Sequence, residues 1–183
     1  MNTQSSNNVF AFDMDNTLIM TDRANNIAYS EAISSVMGVK FDICDSERFT
    51  RNLLKTLFPE ITHSKFCEIV ARKEMCFESH LKETKLNHNL FNKLKQLHDE
   101  GGHTILLTNS HSARAINLCN YYNLTRYFAR RFFREDYLDN KYSLLKNLGY
   151  DLENVVLFEN EEDSSSEAIA NGIKLEKIIK IEC

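Results

Sequence analysis

The apolar positions of this chain change rhythm twice. Val9 to Phe12 is a short apolar run that stops abruptly at Asp13. Such a run predicts a strand buried on both faces, as in a parallel sheet. From about Asp22 to Leu81 the pattern reads as helical throughout. Ala24, Ile27, Ala28, Ala32, Ile33 and Val36 make one apolar stripe, ended by Gly38. Phe49, Leu53, Leu54 and Leu57 make a second, stopped by Pro59. Phe66, Ile69, Val70 and Phe77 make a third at helical spacing. No strand of comparable strength interrupts them, and the block is too long to be an ordinary loop.

A second rhythm follows. Leu90, Leu94 and Leu97 predict a helix closed by Gly101-Gly102, and His103 to Leu107 a strand. Ala113, Ile116 and Leu118 through Tyr121 belong to the next helix, and Phe128 to Phe133 to a short third strand. Tyr142 to Leu148 is a helix ending at Gly149, and Asn154 to Phe158 a fourth strand. Ser164 to Asn171 is a helix with Gly172 as its cap, before a last strand over Lys174 to Ile181. Strands alternating with helices predict an α/β domain: a Rossmann-like parallel sheet with helices on both faces. The expected organisation is a core of residues 1–20 and 86–183, with a small all-helical domain, 21–85, inserted into it.

Composition narrows the function classes. Apolar residues are 43% of the 183, enough for a sizeable core, and the formal net charge of −4 gives no support for binding nucleic acid. The basic group Arg126, Arg130, Arg131 and Arg134 is only a local patch. No apolar run approaches a membrane span. The polar start, MNTQSSNN, lacks the pattern of a secretory leader. Five scattered cysteines with no CxxC pair argue against a disulfide framework or a zinc ribbon, so a reduced, cytoplasmic setting is expected. His63, Cys67, His80 and His88 match no zinc spacing.

Polar chemistry gathers at three strand ends. Asp13 and Asp15 follow the first strand, Thr108-Asn109-Ser110 the second, and Glu159 to Asp163 the fourth. Parallel strands end on one edge of a sheet, where α/β folds bind ligands, so the three clusters can converge. Two acids at such a place call for a hard divalent cation or a catalytic proton. Each cluster also has a plainer reading. Asp, Asn and Thr cap helices, and acids suit a helix N-terminus.

The residues resemble the haloacid dehalogenase-like (HAD) hydrolases over essentially the whole chain. Asp13-Met14-Asp15-Asn16-Thr17 matches the DxDxT motif, Thr108-Asn109 the second motif, Lys141 the third, and the acidic loop Glu159 to Asp163 the fourth. The resemblance implies a phosphatase acting on a small phosphorylated metabolite, with Mg²⁺ as cofactor. Asp13 would be the nucleophile, forming an aspartyl-phosphate. Asp15 would be the general acid and then the base that activates water. Thr108 would hydrogen-bond the phosphoryl oxygens with Asn109 close by, and Lys141 would stabilise the charge. An acid at Asp15 favours phosphoryl transfer over dehalogenation, since a halide leaves without a proton.

Two positions depart from the pattern. The metal ligands would be Asp13, Asp15 through its carbonyl, and the second residue after the fourth strand. That residue is usually Asp and here is Asn160, with Glu159 or Asp163 taking its place if the loop shifts. Tyr142 follows the motif lysine where Pro is common. The inserted block resembles a helical cap of the C1 type, which chooses the substrate and excludes water. Arg23, Arg48, Arg51, Arg72 and Lys73 are its candidate contacts to an anion. A phosphomutase of the same superfamily, or a catalytically weak HAD-like binding protein, are the alternatives. A response-regulator receiver domain is disfavoured by the helical insertion.

Overall fold

The computed structural model describes residues 8–44 and 48–182. The polar stretch 1–7 and Cys183 lie outside the described residues. In chain order the elements are β1 (Val9–Phe12), β2 (Ile19–Met20), α1 (Asp22–Met37), α2 (Arg51–Leu57), α3 (His63–Phe77), β3 (Lys85–Leu86), α4 (His88–Asp99), β4 (His103–Leu107), α5 (Ser112–Tyr121), β5 (Arg130–Phe132), α6 (Lys141–Asn147), β6 (Val155–Glu159), α7 (Glu162–Asn171) and β7 (Ile178–Lys180). The chain divides into two compact units, residues 1–19 with 86–183, and residues 20–85. β2 and β3 form a separate two-stranded sheet.

The first unit is built on a five-stranded sheet of order β5-β4-β1-β6-β7. Every pairing in it is parallel. β1 is the middle strand, with Val9 opposite His103 of β4 on one side and Val155 of β6 on the other. The chain builds outward from β1 through β4 to β5, then returns across the sheet to β6 and β7. Right-handed crossovers therefore put α4 and α5 on one face, and α6 and α7 on the other. The reversal at β1 creates the crevice where such sheets bind ligands.

Period-two alternation sorts the strand residues. Ala11, Ile105, Leu107, Phe132, Val155 and Leu157 face α6 and α7 and pack with Tyr142, Leu145 and Ala168. On the opposite face the Phe12 ring stacks on Phe158 at 4.4 Å and meets Phe128 edge-on at 6.2 Å. α4 turns into β4 through Gly102. A Cβ there would stand 2.7 Å from the Leu97 carbonyl oxygen, so only glycine permits this close approach.

The second unit is helical. α1 packs on α3 around Tyr29, Ala32, Ile33, Phe49, Leu54 and Ile69. Gly38, at φ +70°, ends α1 in the left-handed conformation. Residues 22–81 are not helical throughout, because described residues 39–44 and 48–50 are coil. Side chains of α1 replace the helical hydrogen bonds that this coil forgoes. Ser34 Oγ accepts from the Phe41 N–H at 2.9 Å, and Ser30 Oγ from the Ile43 N–H at 3.1 Å. The Phe49 peptide is bracketed by α1: its N–H donates to Asn26 Oδ1 and its carbonyl accepts from Asn25 Nδ2, both at 2.9 Å. Of the five cations singled out above, Arg23 pairs with Glu83, Arg48 with Asp22, Arg72 with Glu68 and Lys73 with Glu74, while Arg51 hydrogen-bonds Tyr29.

Other element boundaries also differ from the pattern's expectation. The third strand is confined to Arg130–Phe132. The last strand shrinks to Ile178–Lys180, because Leu175–Lys177 forms a 3-10 turn ahead of it. Helix α7 begins at Glu162, so Asp163 belongs to its first turn.

Candidate active site

β1 delivers Asp13 to the carboxyl edge of the sheet. Its N–H donates to the Phe158 carbonyl at 3.0 Å, extending the ladder one residue beyond the strand. The chain then closes a tight turn in which the Met14 carbonyl accepts from the N–H groups of Leu18 and Ile19. Asn16 sits at φ +55° in this turn, a conformation that Asn tolerates better than most residues. The turn brings the Thr17 hydroxyl to 3.2 Å from Asp13 Oδ2 and 2.9 Å from Asn160 Oδ1.

Lys141 opens α6. Asn140 caps that helix, its side chain accepting from the N–H groups of Tyr142 and Ser143. The lysine is 1% exposed, and its Nζ lies 2.9 Å from Asp13 Oδ1 and 2.8 Å from Glu159 Oε2. Glu159 is equally buried and well supplied with donors. It accepts from Ser164 Oγ at 2.7 Å and from the N–H groups of Asn160 and Glu161 at 3.0 and 3.2 Å. Tyr142, where similar proteins often have Pro, is fully buried, with its hydroxyl 2.8 Å from Ser164 Oγ.

One ammonium thus serves two buried carboxylates. Burial pushes Glu159 up, but Lys141 and the donors around it outweigh that and hold it below the usual carboxylate range. Asp13 has fewer donors. Its burial outweighs the attraction of Lys141, and with Glu159 adding repulsion its pKa is pushed up to about 7. Burial opposes the charge on Lys141 too, yet Asp13 and the other acidic groups around it hold its pKa well above the ordinary lysine value. Asp13 is the carboxylate left short of positive charge.

β4 brings the second cluster to the same edge. Thr108 is buried, its N–H donating to the Phe132 carbonyl and its Oγ1 accepting from the Ser110 N–H, both at 3.1 Å. That leaves the hydroxyl proton of Thr108 to donate. Asn109 is exposed, and its Oδ1 accepts from the Tyr137 hydroxyl at 2.5 Å. Burial pushes the Tyr137 phenol up to about 12, so it stays a donor at neutral pH. Asp15 turns toward this cluster. Ser110 Oγ donates to its Oδ2, and Arg114 Nη2, from the first turn of α5, donates to its Oδ1.

Within this unit the structure brings together Asp13, Lys141 and Asn160, and ties Asp15 to the β4–α5 loop that begins with Thr108 and Asn109. It leaves Asp163 apart, exposed in α7 and unconnected to Asp13 by any hydrogen bond or ion pair among the described residues. Glu159 points beneath the site to Lys141, so it is Asn160 that stands beside Asp13. Sequence reasoning missed Ser110 and Arg114 as partners of Asp15, Thr17 as the link from Asp13 to Asn160, and Ser164 as support for Glu159. Ser110 carried a signal in its place next to Asn109, and Thr17 in closing the DxDxT motif.

Donor type tests the site for a cation. Among the described residues, no group of three or more His, Cys, Asp or Glu side chains is arranged to hold a metal. The oxygens beside Thr17 are one carboxylate and one amide carbonyl. This all-oxygen set with little charge fits Mg²⁺, which usually binds through one or two carboxylates and keeps water or substrate phosphate as its other ligands. It does not fit a softer metal.

Known proteins share this architecture. A HAD-superfamily hydrolase of subfamily IA from Geobacter sulfurreducens superposes with a TM-score of 0.71 at 13% identity, over 98% of this chain and 90% of that one. A haloacid dehalogenase-like hydrolase from Streptococcus pneumoniae gives 0.74 at 14% identity, over 98% and 86%. A HAD hydrolase of family IA from Entamoeba histolytica gives 0.73 at 18% identity, over 90% and 81%. At these identities the likeness establishes the HAD-like fold. Among curated proteins, none matches the chain. The model of the NLI interacting factor-like phosphatases, by contrast, matches residues 9–180, nearly the whole length. The chain therefore belongs to the NLI interacting factor-like phosphatase family, and it is a phosphatase of the HAD superfamily.

Proposed function

We propose that this phosphatase hydrolyses a small phosphorylated metabolite through an aspartyl-phosphate on Asp13, with Mg²⁺ as cofactor. The observation that carries the reading is the charge imbalance at β1. Lys141 is shared between two buried carboxylates, and Glu159 takes most of the other donors. Asp13 is left calling for a cation or a proton.

Asp13, the Asp15 carbonyl and Asn160 would hold the ion. When bound, Mg²⁺ supplies positive charge that offsets repulsion between a carboxylate nucleophile and an anionic phosphoryl group. The other roles fall to the chain. Asp13 attacks phosphorus. Lys141 and the Thr108 hydroxyl stabilise charge on the phosphoryl oxygens, with Asn109 beside them. Asp15 gives a proton to the leaving oxygen, then takes one from the attacking water. Residues 20–85, inserted between the Asp15 and Thr108 motifs, would be the cap that selects the substrate. Among the described residues no helix is long and apolar enough to cross a membrane.

The test is hydrolysis of p-nitrophenyl phosphate with and without Mg²⁺, for the wild type and for Asp13→Asn. Turnover that needs both the ion and Asp13 is the expected result. Turnover indifferent to Asp13, or none on any phosphoester, sinks the proposal.

A further inference from the structure

Arg114 is not part of any motif that pointed to the site, yet it reaches into it. It is 9% exposed, on the first turn of α5, and its guanidinium donates to Asp15 across 99 positions of sequence. Burying an arginine is costly unless it is paired. Here the pairing is to a carboxylate on a turn. Ser110 holds the other oxygen of the same carboxylate, so each Asp15 oxygen has its own charge-assisted hydrogen bond.

We propose that Arg114, with Ser110, is the positioning device for Asp15, fixing the carboxyl where a proton can pass to the leaving oxygen. The inference rests on the phosphatase reading above. In the first step the Asp13–phosphorus bond forms while the bond from phosphorus to the ester oxygen breaks. The step starts from Asp15 in its neutral form: the ester oxygen keeps the electron pair and takes the carboxyl proton, giving an alcohol, an aspartyl-phosphate and the Asp15 carboxylate, whose charge Arg114 offsets. Proton transfer needs hydrogen-bond reach, and a displacement of about 1 Å can cost on the order of 100-fold in rate. Asp15 stands on the turn that holds Asn16 at positive φ. Arg114 Nη2, anchored in α5, holds one of the Asp15 oxygens and the Ser110 hydroxyl holds the other.

A positioning role predicts a signature that loss of structure does not give. It is read with substituted phenyl phosphates graded from p-nitrophenyl, whose leaving group needs little protonation, to unsubstituted phenyl, which needs more. The measured quantity is kcat/KM, which reports departure of the leaving group and not the later attack of water. In Arg114→Ala, kcat/KM should fall on the order of 100-fold for phenyl phosphate but less than about tenfold for the p-nitrophenyl ester. Arg114→Lys should recover part of the loss. In an Asp15→Asn background Arg114→Ala should cost nothing further, because both changes remove one function. Should Arg114→Ala fail to fold, Ser110→Ala and Arg114→Lys carry the same test, with a smaller but equally skewed loss.

Equal losses across the ester series, or full additivity with Asp15→Asn, would show a structural role only and overturn the inference while leaving the phosphatase reading intact. Asp13-independent turnover, or none, would overturn both.

Discussion

The Thr17 hydroxyl stands between Asp13 and Asn160, 3.2 Å from a carboxylate oxygen of one and 2.9 Å from the amide oxygen of the other. Those two oxygens come from the ends of adjacent strands, β1 and β6, and face a common point. An amide there donates an oxygen but no charge. Asn160→Asp would add the missing charge. It should lower the Mg²⁺ concentration needed for half-maximal turnover on the order of tenfold, since ligand charge tunes cation affinity strongly. In EDTA the same variant should melt below the wild type, because a second carboxylate then faces Asp13 without a counter-charge. An unchanged metal requirement would remove Asn160 from the ligand set.

Lys141 is predicted to matter for stability as much as for turnover. Lys141→Met leaves Asp13 and Glu159 buried together with no cation between them. Removing one partner of a buried ion pair costs about 3–5 kcal/mol. Urea denaturation in the absence of divalent ions checks this, and a loss below about 1 kcal/mol would mean that water reaches the pair.

The described cysteines should differ sharply in reactivity. Cys44 and Cys67 are exposed, whereas Cys119 is buried and its thiol is pushed up to about 11 by that burial, despite the pull of Arg131. The thiolate is the reactive form. Iodoacetamide at pH 8, followed by peptide mass mapping, should label Cys44 and Cys67 while the protein is folded, and Cys119 only after denaturation. Early labelling of Cys119 would contradict the burial of its side chain on α5.

Gly102→Ala should destabilise the core unit without touching the chemistry. The added methyl group meets the Leu97 carbonyl oxygen and crowds the Phe10 ring. Overpacking of this kind costs about 1–3 kcal/mol. A variant as stable as the wild type in urea would show that the α4–β4 corner can open.

Much of this arrangement was legible in the sequence because it is local. An apolar run that stops at a carboxylate places Asp13 at a strand end, and the apolar spacing from Tyr142 to Gly149 places a helix next to Lys141. The hidden parts are those fixed by distant partners. Nothing near Arg114 reveals that it meets Asp15, since the contact exists only once β4 lies beside β1. Glu159 and Asn160 are neighbours in sequence, yet strand alternation sends one to Lys141 and the other toward Thr17. The coil after Gly38 falls inside a block whose stripes, resuming at Phe49, Leu53 and Leu54, have helical spacing. What settles the coil's path is the set of α1 hydroxyls and amides, Ser30, Ser34, Asn25 and Asn26, that satisfy its backbone.

The central place of β1 has a consequence for how the protein comes to exist. On the ribosome β1 is made before either strand that will flank it. β4 and β6 begin at His103 and Val155, so both edges of β1 wait through the synthesis of the whole helical insertion. An unpaired apolar strand is a template for wrong partners. Pairing this distant in sequence is also slow to form. A charged substitution in β1 should therefore lower the yield of folded protein as well as its activity.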